Sequence, residues 1–341
     1  MDEDAVILTS YLRERHRAGA GALIDLYSRR SVTASVLLRA IDGYGPGQAA
    51  RPGRPLPEDP PLTAIAVETA PRVDALLDEV ASIARPRLIT LGRARLLSGE
   101  IEPLRLGEPS SAATRLTIYC GHADRAFEVS AFEAACELLY QRQVAGATVL
   151  SGIDGTAGGR RRRAHPLRLG ARAPLMVIAV GSGQRIGMML PELGGLFRHP
   201  LMTVAQVRLC KRDGQFVSRP EALSGADEPP GMAPQVKLTV YTSEATRVDG
   251  EPAHRAIVRR LRSAGVGGVT AQRGIWGFHG EHAPHGDHFP RHGRHVPVVT
   301  TVIDHPERIG VAFDVIDALT PGRGLVTAET VLTPRSVGVR A

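Results

Sequence analysis

Cysteine is scarce in this chain of 341 residues: Cys120, Cys136 and Cys210 are the only three. An odd, sparse set without C-x-x-C spacing excludes a disulfide framework and a paired-thiol metal site, and fits a reducing compartment. No apolar run approaches the roughly 20 residues that a membrane-spanning helix needs. No G-x-S-x-G, H-E-x-x-H, Walker A or G-x-G-x-x-G motif occurs, so the common signatures of hydrolases, zinc proteases and nucleotide-binding loops are missing. Lysine is reduced to Lys211 and Lys237, and arginine supplies the rest of the 42 basic residues behind a formal charge of +7. A bias that uniform reflects composition before function, and only local clusters of arginine carry information. The segment Met1-Asp2-Glu3-Asp4 is acidic where a secretory leader would be basic, so a cytoplasmic location is expected. Apolar residues at 43% and charged residues at 23% are those of a globular chain and exclude wholesale disorder.

What the chain does contain is one pattern three times. Leu8-Thr9-Ser10-Tyr11 returns as Leu116-Thr117-Ile118-Tyr119 and as Leu238-Thr239-Val240-Tyr241. Each copy then reaches a glycine turn: Ile41-Asp42-Gly43, Ile153-Asp154-Gly155 and Ile275-Trp276-Gly277. An apolar strand follows, starting at Pro61, Pro174 or Pro297. Behind it comes an apolar stripe spaced i, i+3, i+4, i+7, i+10, beginning at Val73, Ile186 or Ile309 and preceded by Arg72, Arg185 or Arg308. That spacing puts the stripe on one face of a helix. Four signals in the same order define repeats over 1–97, 113–212 and 234–335, with linkers in the Pro/Gly/Ser-rich stretches around 98–112 and 213–234.

Within each repeat the order reads strand, helix, strand, loop, strand, helix, strand. The second strands are expected at 35–41, 148–153 and 269–275, and the last at 88–91, 203–209 and 325–331. This βαββαβ order predicts a ferredoxin-like α+β unit with two helices on one face of an antiparallel sheet. The bare face of such a sheet needs a cover, and two sister repeats can provide it.

The segments Val144 to Gly155 and Arg273 to Gly280 resemble the hallmark of the PII-like family of uncharacterised function, related to the nitrogen-regulatory PII signalling proteins. The resemblance runs through all three repeats. The first is the most degraded: it has Ala34-Ser35-Val36 where the second has Gly-Ala-Thr. PII proteins are trimers that bind nucleotides in clefts between subunits, so the resemblance implies a single-chain pseudo-trimer. It further implies a non-enzymatic sensor, a small anionic ligand such as a nucleotide, and a regulated partner such as a membrane transporter or channel.

The long loops, about 44–60, 156–173 and 278–296, diverge between repeats. The second carries Arg160, Arg161, Arg162 and Arg163 with no acid and no aromatic. It reads as an anion clamp or as a solvated loop, and the lack of a stacking residue argues against nucleic acid. With Gly43, Gly155 and Gly277, which give φ > 0 or close approach, these arginines form the expected ligand site. The third loop carries His279, His282, His285 and His288 at three-residue intervals, a candidate site for a divalent transition metal, although Pro284 and Gly286 break any helix that would align them. A metal-binding protein working through that loop, and a structural adaptor with no small-molecule ligand, are the alternative readings. Trp276 either covers a ligand or packs between repeats.

Overall fold

A computed structural model describes residues 2–13, 16–45, 60–106, 112–157, 160–163, 173–220, 229–280, 282–286, 296–322 and 324–335. It is a mixed α+β structure in which, among these residues, six helices flank one extended antiparallel sheet. No described helix is long and apolar enough to cross a membrane.

The first repeat has strands Asp2–Arg13, Ala34–Arg39, Pro61–Glu68 and Leu88–Ser98, and helices Arg17–Arg29 and Ala70–Ala84. The second has strands Ala112–Gly121, Gly146–Ser151, Pro174–Gly181 and Leu201–Arg212, and helices Ala131–Gln141 and Gly183–Gly195. The third has strands Met232–Ser243, Gly268–Arg273, Pro297–Asp304 and Leu325–Pro334, and helices Ala253–Ser263 and Pro306–Leu319. In every repeat the strands lie in the spatial order second, third, first, fourth, all antiparallel.

The helical stripes bury as their periodicity requires. Val73, Ile186 and Ile309 are at most 1% exposed, and the first-helix positions Leu23, Leu139 and Leu261 are fully enclosed. Each such side chain contributes about 1.5–3 kcal/mol through burial. The arginine ahead of each stripe has a local purpose. Arg72 donates to Arg30 O at 2.7 Å, and Arg185 and Arg308 donate to Gln143 O and Gly265 O. These acceptors close the C-terminal end of the first helix of the same repeat, where carbonyls lack intrahelical partners and the dipole favours a cation. One residue type thus ties the two helices of each repeat together.

Each repeat has its own core between helices and sheet. A fourth apolar cluster, with Ile7, Leu38, Leu150, Met176, Tyr241 and Val299 among its members, is drawn from the opposite sheet faces of all three repeats. The bare faces therefore cover one another.

The strand ends differ from the sequence expectation. The second strands stop at Arg39, Ser151 and Arg273, and the chain then changes partner. Ala40, Gly152 and Gly274 donate to the carbonyls of Pro61, Pro174 and Pro297 in their own repeats. The next residues, Ile41, Ile153 and Ile275, donate to Ala271 O, Leu37 O and Val149 O in other repeats. The fourth strands are longer than expected because their ends pair across repeats: Leu201 to Val204 with Ser98 to Arg95, Arg208 to Arg212 with Ala328 to Leu325, and Leu332 with Leu91.

Candidate functional site

Beyond each switch lies a short strand, here called an arm: Asp42–Tyr44, Asp154–Ala157 and Trp276–His279. The first arm pairs with the second strand of repeat 3, the third arm with that of repeat 2, and the second arm with that of repeat 1. Three donations in one rotational sense close a ring, and each leaves a seam between two repeats.

Gly43, Gly155 and Gly277 sit on these arms, one per seam, and so are not gathered into a single site. Their Cα atoms press against the partner strand: an added Cβ would fall 2.4 Å from Val269 O, 2.2 Å from Ser35 O and 2.2 Å from Ala147 O, respectively. Gly43 at φ 140° and Gly277 at φ 147° also lie where a side chain is strained. The glycines are the condition for backbone-to-backbone closure of the ring.

The residue after each glycine seats the arm on its neighbour. Tyr44 lies under the Arg262 guanidinium, 5.8 Å from ring centre to Cζ. Thr156 shares a 2.8 Å hydrogen bond with Ser35. Phe278 meets Tyr140 edge-on at 5.4 Å, and beside it Trp276 meets Phe132 at 6.3 Å. Trp276 is therefore a packing residue between repeats 3 and 2. Asp42 and Asp154 each accept the N–H of the following glycine, at 2.7 and 2.9 Å. Burial raises the Asp42 carboxyl above its ordinary range.

Arg160–Arg163 form a strand that folds back on the second arm, with Gly155 opposite Arg162. Within this hairpin Arg161, Arg162 and Arg163 already have carboxylates. Arg161 donates to Asp154 at 3.0 and 2.7 Å and also pairs with Asp25 on the first helix of repeat 1. Arg163 donates to Asp154 at 3.1 Å, and Arg162 lies 3.3 Å from Asp124. Three arginines of the run with no acid in sequence are thus ion-paired in space, and Arg161 ties the hairpin to repeat 1 through Asp25.

The seam between repeats 1 and 3 opens into a cleft with about 460 Å³ of empty space. Tyr11, Arg13, Tyr44, Gly45, Arg87 and Thr270 are among its walls, so two arginines and two phenol rings come together there. The equivalent cleft between repeats 3 and 2, about 290 Å³, has Thr242 and His279 at the positions of Leu12 and Gly45, with no arginine among the described residues of its walls. In the seam between repeats 2 and 1, Gly121 takes the register of Arg13. Arg162 fills the space beside it, with Nη1 1.8 Å from where a Cβ on Gly121 would stand. Neither Arg13 nor Arg87 belongs to a motif; the pairing of the first and fourth strands of repeat 1 brings them together, and the ring sets the second strand of repeat 3 opposite them.

Of the histidines, His279 ends the third arm with Nε2 4.0 Å from Asp213, His282 is exposed, and His285 donates from Nδ1 to Ala283 O at 2.9 Å. His288 lies outside the described residues. Among those described, no three His, Cys, Asp or Glu side chains are grouped to hold a metal. Cys120, Cys136 and Cys210 are buried free thiols whose pKa burial raises, for Cys210 to about 12, so they stay protonated and serve packing.

A family model, DUF190, described as Uncharacterized ACR, COG1993, matches the chain three times, over residues 5–96, 113–209 and 235–333.

Proposed function

Since the chain belongs to the DUF190 (PII-like) family and carries it in three tandem copies, we propose that it is a single-chain sensor that binds a small anionic ligand, a nucleotide, in the cleft between repeats 1 and 3. On this reading each repeat is a ferredoxin-like βαββαβ unit and the ring of arms is a pseudo-trimer. The protein is non-enzymatic: occupancy of the cleft alters the loop that follows the first arm, and the loops regulate a partner, a membrane transporter or channel. The observation that carries the reading is the cleft itself, where Arg13 and Arg87 from repeat 1 face the second strand of repeat 3 beside Tyr44. Guanidinium groups form paired charged hydrogen bonds with phosphate oxygens. The earlier candidates Gly43, Gly155, Gly277 and Arg160–Arg163 keep a supporting place, because they close the seams whose geometry defines the cleft.

The test is calorimetric titration of ATP, ADP, AMP and cyclic nucleotides into the whole chain and into a double variant, Arg13→Ser with Arg87→Gly. These substitutions copy Ser243 and Gly324, which hold the same register in repeat 3. Saturable binding that the double variant loses at least tenfold supports the reading. Equal affinity in both proteins removes the cleft, and no heat with any nucleotide removes the ligand class.

A further inference from the structure

A second cavity lies where the three sheets face one another, and its walls come from the first, second and third strands of every repeat. Centres of water-sized particles can occupy about 70 Å³ of it, whereas about 10–15 Å³ by that measure holds one water. The register of the repeats shows how its walls have diverged. Tyr11, Tyr119 and Tyr241 occupy one position, and Thr9, Thr117 and Thr239 another. At three further positions the symmetry breaks toward polarity. Arg115 and Lys237 replace Ile7, Thr63 replaces Met176 and Val299, and Gln272 replaces Leu38 and Leu150.

The charges do not balance. Arg115 and Lys237 both pair with one carboxylate, Glu329, the latter at 2.9 Å. Arg115 and Glu329 are 8% and 6% exposed. Burial raises the hydroxyl pKa of all three tyrosines, so the rings stay protonated and supply no negative charge. One positive charge is left over. Two buried polar atoms on the walls, Thr63 Oγ1 and Gln272 Nε2, have no hydrogen-bond partner in the structure, and their residues are 4% and 8% exposed. A surplus charge beside the half-buried Lys237, whose side chain is 19% exposed, and unsatisfied buried donors each carry a penalty that a counter-ion reduces.

We infer that this chamber is a binding site for one small monovalent inorganic anion, held by Lys237 and Arg115 with donors from Thr63 and Gln272. It adjoins the cleft between repeats 1 and 3, with which it shares Tyr11, Thr270 and Thr301, but its cationic walls, Lys237 and Arg115, belong to neither seam cleft. The excess of a single charge selects a monovalent over a divalent ion. Burial lowers the Lys237 pKa, so a bound anion also holds that ammonium in its charged form.

Bromide is the probe. Thermal unfolding of the whole chain is followed while bromide replaces gluconate at fixed ionic strength, and crystals grown in bromide are measured for its anomalous signal. Wild type is expected to show a saturable rise in Tm and an anomalous peak within hydrogen-bond distance of Lys237 or Gln272. Thr63→Val with Gln272→Leu, which restores the apolar residue types of the other repeats, should unfold cooperatively and lose both signals. Lys237→Met should lose them as well. A chamber filled only by water in wild-type crystals, or a bromide response equal in wild type and the Thr63→Val, Gln272→Leu variant, overturns the inference.

Discussion

Gly277 packs its Cα onto Ala147 O at φ 147°. A methyl group there meets both a carbonyl oxygen and an unfavourable backbone region. Gly277→Ala is expected to cost about 1–3 kcal/mol, seen as a lower urea midpoint. Gly280→Ala, also at positive φ but with open space around it, should cost less. Glu329 is a second residue with a single-site consequence. Burial alone would raise its pKa, but Arg115 and Lys237 bring it down to about 2 from an ordinary 4.5. A carboxylate lowered on folding adds stability above the unfolded pKa and loses it as pH falls through the folded one. Stability should therefore decline between about pH 4.5 and 2 in wild type, and that part of the decline should vanish in Glu329→Gln. Glu329→Ala, which leaves two buried cations without their carboxylate, should cost about 3–5 kcal/mol. The turn glycines were legible in the sequence as positions needing an unusual backbone. What presses on them was not, because the neighbour lies more than a hundred residues away. The triad was hidden for the same reason, although Arg115 and Lys237 share a register one residue ahead of Leu-Thr-x-Tyr.

At the scale of elements, the hairpin of repeat 2 is held by Asp154, which serves both Arg161 and Arg163. Asp154→Ala should free the run Arg160–Arg163, so limited trypsin digestion should cut there several times faster than in wild type. The far-UV signal and the cooperative melt should persist, because the cores of the repeats lie elsewhere. Cleavage at the wild-type rate would mean that Asp154 is not what protects the strand. The long helices were readable because five apolar positions at helical spacing have one structural solution. The arms were not: three or four residues have no period to detect, and their pairing is with another repeat. The second strands were placed nearly correctly, but the expectation ran through the switch point, since Ile41, Ile153 and Ile275 look like strand residues and are strand residues of a different pairing.

For the whole molecule, three sheets with bare faces must meet, and joining them in one chain lets equivalent positions diverge. The cleft between repeats 1 and 3 keeps two arginines, the seam between 2 and 1 is filled by Arg162, and the cleft between 3 and 2 carries a histidine. Triplication and the α+β character were plain in the sequence, because both rest on local patterns repeated in order. Which cleft stays open follows from closure of the ring and could not be read before it. Nucleotide binding is tested most directly by thermal unfolding of the purified chain against adenine, guanine and cyclic nucleotides. A ligand at 100 times its dissociation constant stabilises the folded state by about 2.7 kcal/mol, so a selective rise in Tm with one nucleotide is the predicted result. A flat response to all of them at millimolar concentration would contradict it.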